Sequence, residues 1–582
     1  MLPFIAEYFV PILFLGLLAF LLSGVPVALG LAATGLVFGS LGMFAGLFDA
    51  NLFHALPLRV FGVLQNETLL AIPFFTLMGI VLERSGMAED LLETVGQVFG
   101  PVRGGIAIAV VLVGALLAAT TGVIAAAVIS MGLIALPIML RYGYNRSIAM
   151  GTITASGTLA QALPPSLVLI VLADQLGRSV GDMYSAALLP GLLLVGVYVL
   201  FIVAVALVRP RWVPALPPEA LIYKEANGSS GHLSLLVLVA VCAAAGLGWS
   251  QLHDGLVGGW LQRETAAPAD EVFISSLTVA SLFGLVLALA NRVTGASLLS
   301  KLAEQVTFVM IPPLVLIFLV LGTIFLGVAT PTEGGAMGAV GALVMAGARG
   351  KINFDLLKQA LNTTATLSCF VVFILIAATI FSFTFNAADG HLWVESLFHG
   401  LPGGEIGFLL VVNLLVFVLG MFLDFFEIAF IVIPMLAPVA EKMGIDLIWF
   451  GIIIALNLQT SFLTPPFGFA LFFLRSVAAK KDYDDRVTGK RIPAVTTEQI
   501  YKGSIAFILL QVLVVALVVA FPGLTSPGAE DKVMLDEAEV MKVFENQSSG
   551  ADDGDLMQGL EPPPASGAED PTRDVLDAIK AD

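Results

Sequence analysis

The sequence predicts an all-α polytopic membrane protein built from two related halves, and three observations carry that reading. Of 582 residues, 58% are hydrophobic and 12% charged. Their mean hydropathy is +0.98, and so few charges cannot clothe the several soluble domains that a chain this long would form. The apolar residues fall in runs of about 17–25, the length at which a helix crosses a bilayer. The runs also repeat along the chain. A soluble enzyme, a nucleic-acid binder and a fibrous protein are excluded.

Taken in order, apolar stretches lie near 3–22, 24–46, 68–84, 105–119, 122–140 and 185–208. A second set lies near 307–328, 330–348, 363–385, 405–421, 423–440 and 501–521, with two more candidates near 233–250 and 273–291 between the sets. The first stretch has Glu7 and no Lys or Arg before it, which predicts a retained first helix rather than a signal peptide. Four apolar pieces are too short to span: about 148–161, 166–177, 447–460 and 466–479.

The two sets share a register. A shift of 301 positions pairs Pro137 with Pro438, Gly143 with Gly444 and Asn145 with Asp446. The same shift pairs Pro164–Pro165 with Pro465–Pro466, and a shift of 305 pairs Pro26 with Pro331 and Gly30 with Gly335. Tyr184 pairs with Tyr501 once a longer loop is allowed in the second half. Internal duplication with Gly/Pro-broken segments at equivalent places points to a secondary transporter. A Pro-Pro pair cannot continue a helix, and at membrane depth the freed backbone groups must line a cavity or meet an ion. Residues 153–173 and 454–474 therefore read as helix, polar tip, helix. Each half is expected to carry one re-entrant hairpin, at about 148–177 and about 447–479, with the tips meeting near the midplane. The domain plan is 1–208, a connecting insertion 209–304 with two extra helices, 305–521, and a tail 522–582. The tail holds about 15 acidic against about 4 basic residues and is expected to be disordered.

The first tip presents Ser156, Gly157, Thr158, Gln161 and Ser166; the second presents Asn457, Gln459, Thr460, Ser461 and Thr464. Neutral oxygens and bare carbonyls suit a hard monovalent cation, and helix N-termini after each break suit an anion. The same hydroxyls also bond back to their own helices or hold helices together. Thr330 and Glu333 flank Pro331 as a capping box, with a place near an ion site as the other reading of Glu333. Asp424 and Glu427, three apart, share a helix face in the second half only, since the shift sets Val123 and Ala126 opposite them. They serve either an interhelical contact or the transport path, and proton coupling through them stays open. Thr120-Thr121-Gly122 interrupts an apolar run and is either tolerated mid-helix or unwound toward substrate. Cys242 and Cys369 give no disulfide framework, and no metalloprotease or phosphate-loop motif occurs. No catalytic residues or cofactor are expected, and energy must come from an ion gradient or another subunit.

LRYGYNRSIAMGTITASGTLAQALPPS (140–166), ATPTEGGAMGAVGAL (329–343) and MGIDLIWFGIIIALNLQTSFLTPPFGFALF (443–472) resemble the large membrane subunit of tripartite ATP-independent periplasmic (TRAP) transporters, the DctM-like family. The resemblance covers most of 10–208 and 305–521. It implies inverted repeats, an elevator mechanism, an inner-membrane location and import of a small organic acid with sodium as coupling ion. It also implies two partners, a small four-helix membrane subunit and a periplasmic binding protein. By position, the sodium-site candidates are Ser156, Gly157 and Thr158, then Asn457, Thr460 and Thr464. Thr120, Thr121, Pro165, Glu333, Asp424, Glu427 and Pro466 are placed along the transport path. The chain departs from the family in reading Thr121-Gly122-Val123-Ile124 where many members are serine-rich, in the extra helix pair, and in the acidic tail. Lys and Arg flank both expected hairpins, among them Arg141, Arg146 and Arg178, then Lys442, Arg475 and Lys490. The positive-inside rule draws both bases to the cytoplasm, whereas inverted halves would separate them.

Overall fold

The computed structural model describes residues 8–223, 231–261, 267–295, 299–398, 402–485 and 487–525. The acidic tail from 526 on, and residues 1–7, lie outside the described residues. The helices are α1 (Phe9–Leu22), α2 (Val27–Phe44), α3 (Leu56–Leu64), α4 (Ala71–Arg84), α5 (Met87–Phe99), α6 (Gly105–Thr121), α7 (Ile124–Arg141), α8 (Arg146–Thr158), α9 (Leu167–Gln175) and α10 (Val180–Val208). The insertion supplies α11 (His232–His253) and α12 (Ala269–Thr294). There follow α13 (Lys301–Phe325), α14 (Pro331–Ala348), α15 (Phe354–Ala387), α16 (Gly390–Phe398), α17 (Gly404–Leu419), α18 (Phe425–Lys442), α19 (Leu447–Phe462), α20 (Phe469–Val477) and α21 (Thr497–Ala520). Among the described residues, eight helices are long and apolar enough to cross a membrane, or nine if the bent pair over 53–84 is one span. This is a multi-pass membrane protein.

The direction of each helix follows from what its ends touch. α10 is one helix of 29 residues, about 43 Å at 1.5 Å per residue, so Val180 and Val208 mark opposite ends of the helical bundle. Just past Val208, the Trp212 carbonyl accepts from the Asn145 N–H at 2.8 Å, and the Val213 carbonyl from the Gly104 N–H at 2.9 Å. The Tyr144 hydroxyl accepts from the Ile106 N–H at 3.2 Å. The start of α6, the end of α7 and the start of α8 thus lie together at the Val208 end. α6 and α7 form a hairpin whose tip is Gly122–Val123. α9, in contrast, ends beside Val180, where Arg178 meets Glu441 at 3.2 Å.

The later segments mirror this. The Trp449 indole N–H, at the start of α19, donates to the Val518 carbonyl near the end of α21 at 3.0 Å. Arg475, at the end of α20, donates to the Val495 carbonyl just before α21 at 2.7 Å. Arg141 binds Asp485 at 3.0 Å and Arg146 donates to the Ala494 carbonyl at 2.8 Å, which fixes that loop at the Val208 end. α17 and α18 fold back on each other: Lys442 meets Glu395 at 2.5 Å, and Phe398 packs on Phe408 with ring centroids 4.9 Å apart.

These contacts correct the expected hairpins at about 148–177 and 447–479. Both segments are interrupted crossings that run from one end to the other. The segments that double back are 105–141 and 404–442. Length misled the reading, because a break in mid-span leaves two short arms, whereas hairpin arms of 16 to 18 residues look like spans. The same correction removes the conflict over charge. Arg141 and Arg146 precede one crossing and Arg475 and Lys490 follow the other, so all four share the Val208 end. Arg178 and Lys442 lie at the Val180 end.

Positions paired by the shift of 301 carry the same backbone tasks. Asn145 caps α8 by accepting from the Ile148 N–H at 3.3 Å, and Asp446 caps α19 by accepting from the Trp449 N–H at 2.8 Å. Gly143 and Gly444 take φ of +80° and +78° in the turns before those caps, a conformation that costs glycine nothing. Pro137 and Pro438 sit inside α7 and α18. The amphipathic α5, the short α3 and α16, and the ribbon Tyr483–Asp484/Arg491–Ile492 had no counterpart in the apolar runs. In the loop holding that ribbon, Thr488 and then Arg141 hold the Asp485 carboxyl below its usual range, which keeps it charged and the loop docked at neutral pH.

Candidate functional site

Two crossings break near their middles. In the first, α8 ends at Thr158, one tight turn covers Leu159–Gln161, and α9 resumes at Leu167. Ser166 stabilises the restart: its hydroxyl donates to the Ala160 carbonyl at 2.7 Å and accepts from the Val168 N–H at 3.2 Å. In the second, α19 ends at Phe462 and α20 resumes at Phe469 after Thr464-Pro465-Pro466. The repeat-paired tyrosines each donate to a carbonyl at a break, and the Ser166 carbonyl also accepts from the Ile170 N–H at 3.3 Å. Tyr184 donates to Ser166 at 3.4 Å and Tyr501 to Pro466 at 3.1 Å.

Each break lies against a hairpin. A Cβ on Gly122, whose φ is +58°, would sit 2.9 Å from Leu167 Cγ, so the first hairpin tip abuts the N-terminus of α9. A Cβ on Gly157 would stand 2.4 Å from Val128 Cγ2 on α7, and one on Gly114 of α6 would stand 2.5 Å from Ser156 Cβ. Glycines let the backbones approach this closely. In the later set, Gly420 presses on Ser461 and Phe422 lies 4.9 Å from Phe467 between centroids. The two breaks are joined by Gln459, which donates to Thr158 Oγ1 at 3.4 Å. These two residues are partners under the 301 shift. Four helices end and four begin at the breaks and tips, so carbonyl ends that favour a cation and N–H ends that favour an anion converge.

The polar side chains here are buried and incompletely satisfied. Every residue from 148 to 173 is buried, while Pro466 and Phe467 in the second break are exposed. The hydroxyls of Ser156, Thr158, Thr460 and Thr464 donate to helix carbonyls at 2.9 to 3.1 Å, which leaves lone pairs on their oxygens for accepting, one of them at Thr158 taken by Gln459. Asn457 donates to the Asn413 carbonyl at 2.6 Å. Both amide atoms of Gln161, together with Gln459 Oε1 and Asn413 Oδ1, are buried without a partner. Each such atom costs about 1–3 kcal/mol unless something binds it. Among the described residues no three His, Cys, Asp or Glu side chains cluster to hold a metal.

The other candidates fall in different places. Thr120 and Thr121 end α6 at the hairpin tip, but their side chains lie outside the described residues. Pro165 is buried in its break. The Asp424 N–H donates to Glu427 Oε2 at 2.9 Å, so the acidic pair closes the N-terminus of α18 at the second hairpin tip, where the first hairpin has Val123. Glu333 is exposed and accepts from the Thr330 N–H at 2.8 Å, the capping box read from the sequence, away from the breaks. Asn413 and Gln511 were missed. Gln511 donates to the buried Tyr198 hydroxyl at 2.6 Å. Each is a lone amide in an apolar run, which was the available signal.

The family model of the tripartite ATP-independent periplasmic transporter DctM component matches residues 14–524. A C4-dicarboxylate TRAP transporter large permease of Pseudomonas aeruginosa is 29% identical over 74% of this chain and 82% of its own length. One from Rhodobacter capsulatus is 26% identical over 78% of this chain and 87% of its own. A sialic acid TRAP large permease of Vibrio cholerae is 24% identical over 88% of this chain and 96% of its own.

Proposed function

Because this chain belongs to the DctM component family of tripartite ATP-independent periplasmic transporters, we propose that it is the permease of a sodium-driven importer of a small organic acid. A periplasmic binding protein would deliver the acid, and a small four-helix membrane subunit would complete the membrane part. The observation that carries the reading is the meeting of two interrupted crossings through Thr158 and Gln459, beside buried amides with no partner. Similar relatives are named for C4-dicarboxylates and sialic acid, substrates that share a carboxylate.

The halves are inverted repeats on this reading. Support comes from order and direction: hairpin, interrupted crossing, crossing, starting from the Val208 end in residues 105–208 and from the Val180 end in 404–520. The Val208 end is cytoplasmic, since Arg141, Arg146, Arg209, Arg475 and Lys490 gather there. α6–α10 and α17–α21 would move together as an elevator against a frame that includes α2, α4, α14 and α15. Sodium would bind at Ser156, Gly157 and Thr158 and at Asn457, Thr460 and Thr464. Helix N-termini at the breaks would face the carboxylate, with Thr120, Thr121, Pro165 and Pro466 along its path. A second reading, proton coupling through Asp424 and Glu427, rests on the burial of Glu427 beside the second hairpin tip.

Uptake into proteoliposomes holding the chain and its partners tests the coupling ion. Ser156→Ala and Asn457→Ala are each expected to raise the sodium concentration for half-maximal uptake by about tenfold, the loss of about one ligand interaction of 1.4 kcal/mol. Unchanged sodium dependence in both variants would overturn the assignment. Uptake driven by a pH gradient without sodium would favour the carboxylate pair.

A further inference from the structure

A cavity of about 550 Å³ opens between the end of α10 and the start of α21, at the basic end and remote from the breaks. Its walls are apolar, with Ile148, Phe201, Val205 and Ala506 among them, and its rim carries Arg209, Trp212 and Lys502. The Arg209 guanidinium lies 4.3 Å over the Trp212 ring, which holds the cation in place without neutralising it. Arg209 makes no ion pair among the described residues. Lys502 pairs with Glu498 at 2.6 Å, and both side chains are exposed, so that pair contributes little. Around the cavity the helix flanks are bare hydrocarbon: Val208 on its wall and Leu207 beside it are each 78% exposed, and Leu509 is 65% exposed.

We propose that this cavity binds an anionic phospholipid. Its phosphate would sit between Arg209 and Lys502, with Trp212 at the level of the headgroups and an acyl chain along Phe201, Val205 and Ala506. Three features select that occupant. The cavity lies where membrane helices emerge, its charge is positive, and its cations stand over an apolar trough that a soluble anion would leave empty. Basic pockets between membrane helices on the cytoplasmic side take acidic headgroups, and Trp and Arg gather at that boundary. The lipid would bridge α10 to α21. The proposal needs only that the chain spans a membrane, so it stands or falls apart from sodium coupling.

Native mass spectrometry of the purified full chain, stripped of lipid and offered phosphatidylglycerol or phosphatidylcholine, tests it. One tight phosphatidylglycerol adduct is expected, with phosphatidylcholine bound at least tenfold more weakly. Each cation near a membrane surface is worth about fivefold in affinity for acidic lipid, so Arg209→Gln with Lys502→Gln should cost about twenty-five-fold. Glu498→Gln, which frees Lys502 and leaves the cavity intact, should strengthen the adduct about twofold. Equal retention of both lipids, or an adduct that survives the double change, would overturn the proposal. Displacement of the adduct by millimolar inorganic phosphate would also overturn it, by showing a site for a free anion.

Discussion

Replacing Gln161 with Met is expected to stabilise the resting protein and to stop transport. Both amide atoms of Gln161 are buried and unpartnered at the first break. A thioether of similar length fills the same space without the cost of an unmet hydrogen bond, about 1–3 kcal/mol. The thermal midpoint of the purified chain should rise by about 2 °C or more. Uptake in proteoliposomes should fall at least tenfold, because the break would lose the amide that an arriving solute or ion satisfies. A purely structural Gln161 would give the reverse, a lower midpoint with uptake tracking folded protein. The two readouts move in opposite directions only if the amide is kept for a guest.

The second large effect is steric. Gly157→Val should sharply reduce the yield of folded protein and abolish uptake in what remains. A Cβ at 157 would already stand 2.4 Å from Val128 Cγ2 and 3.1 Å from the Val128 N, and Val128 is itself fully buried. Overpacking of this kind costs about 1–3 kcal/mol, and α8 can yield only by moving away from the first hairpin. Gly157→Ala with Val128→Ala tests the cause. The added methyl group then meets space in place of Cγ2, and yield should recover in the double variant relative to Gly157→Ala alone. Failure to recover would place the fault in the backbone of 157 rather than in its contact with α7.

Much of this was legible in the sequence, and the parts that were not share a cause. The long apolar runs marked the long helices, most of them within a few residues, because burial in lipid or in a membrane bundle demands such a run, although four of these runs are hairpin arms rather than spans. The Pro-Pro doublets located both breaks, since proline forbids the helix whatever surrounds it. The Thr330–Glu333 box was readable because capping is local. What could not be read was direction. A break in mid-membrane looks the same whether the chain turns back or carries on, and only contacts such as Asn145 with Trp212 and Trp449 with Val518 decide it. The Asp424–Glu427 pair shows a related limit. Its spacing fits a shared helix face and an N-terminal cap equally well, and the fold selects the cap. Unpaired amides are also invisible in sequence, because Gln161 differs from any other glutamine only in what fails to surround it.

The central claim is that residues 146–175 and 447–477 are crossings that run in opposite directions and break where they meet. Single cysteines in a chain freed of Cys242 and Cys369 test it most directly, by labelling with a membrane-impermeant maleimide from each side of the membrane. Ser179→Cys and Glu441→Cys should react from one side, and Ser147→Cys and Lys480→Cys only from the other. Reaction of Ser147→Cys and Ser179→Cys from the same side would make the first segment a re-entrant hairpin and contradict the account.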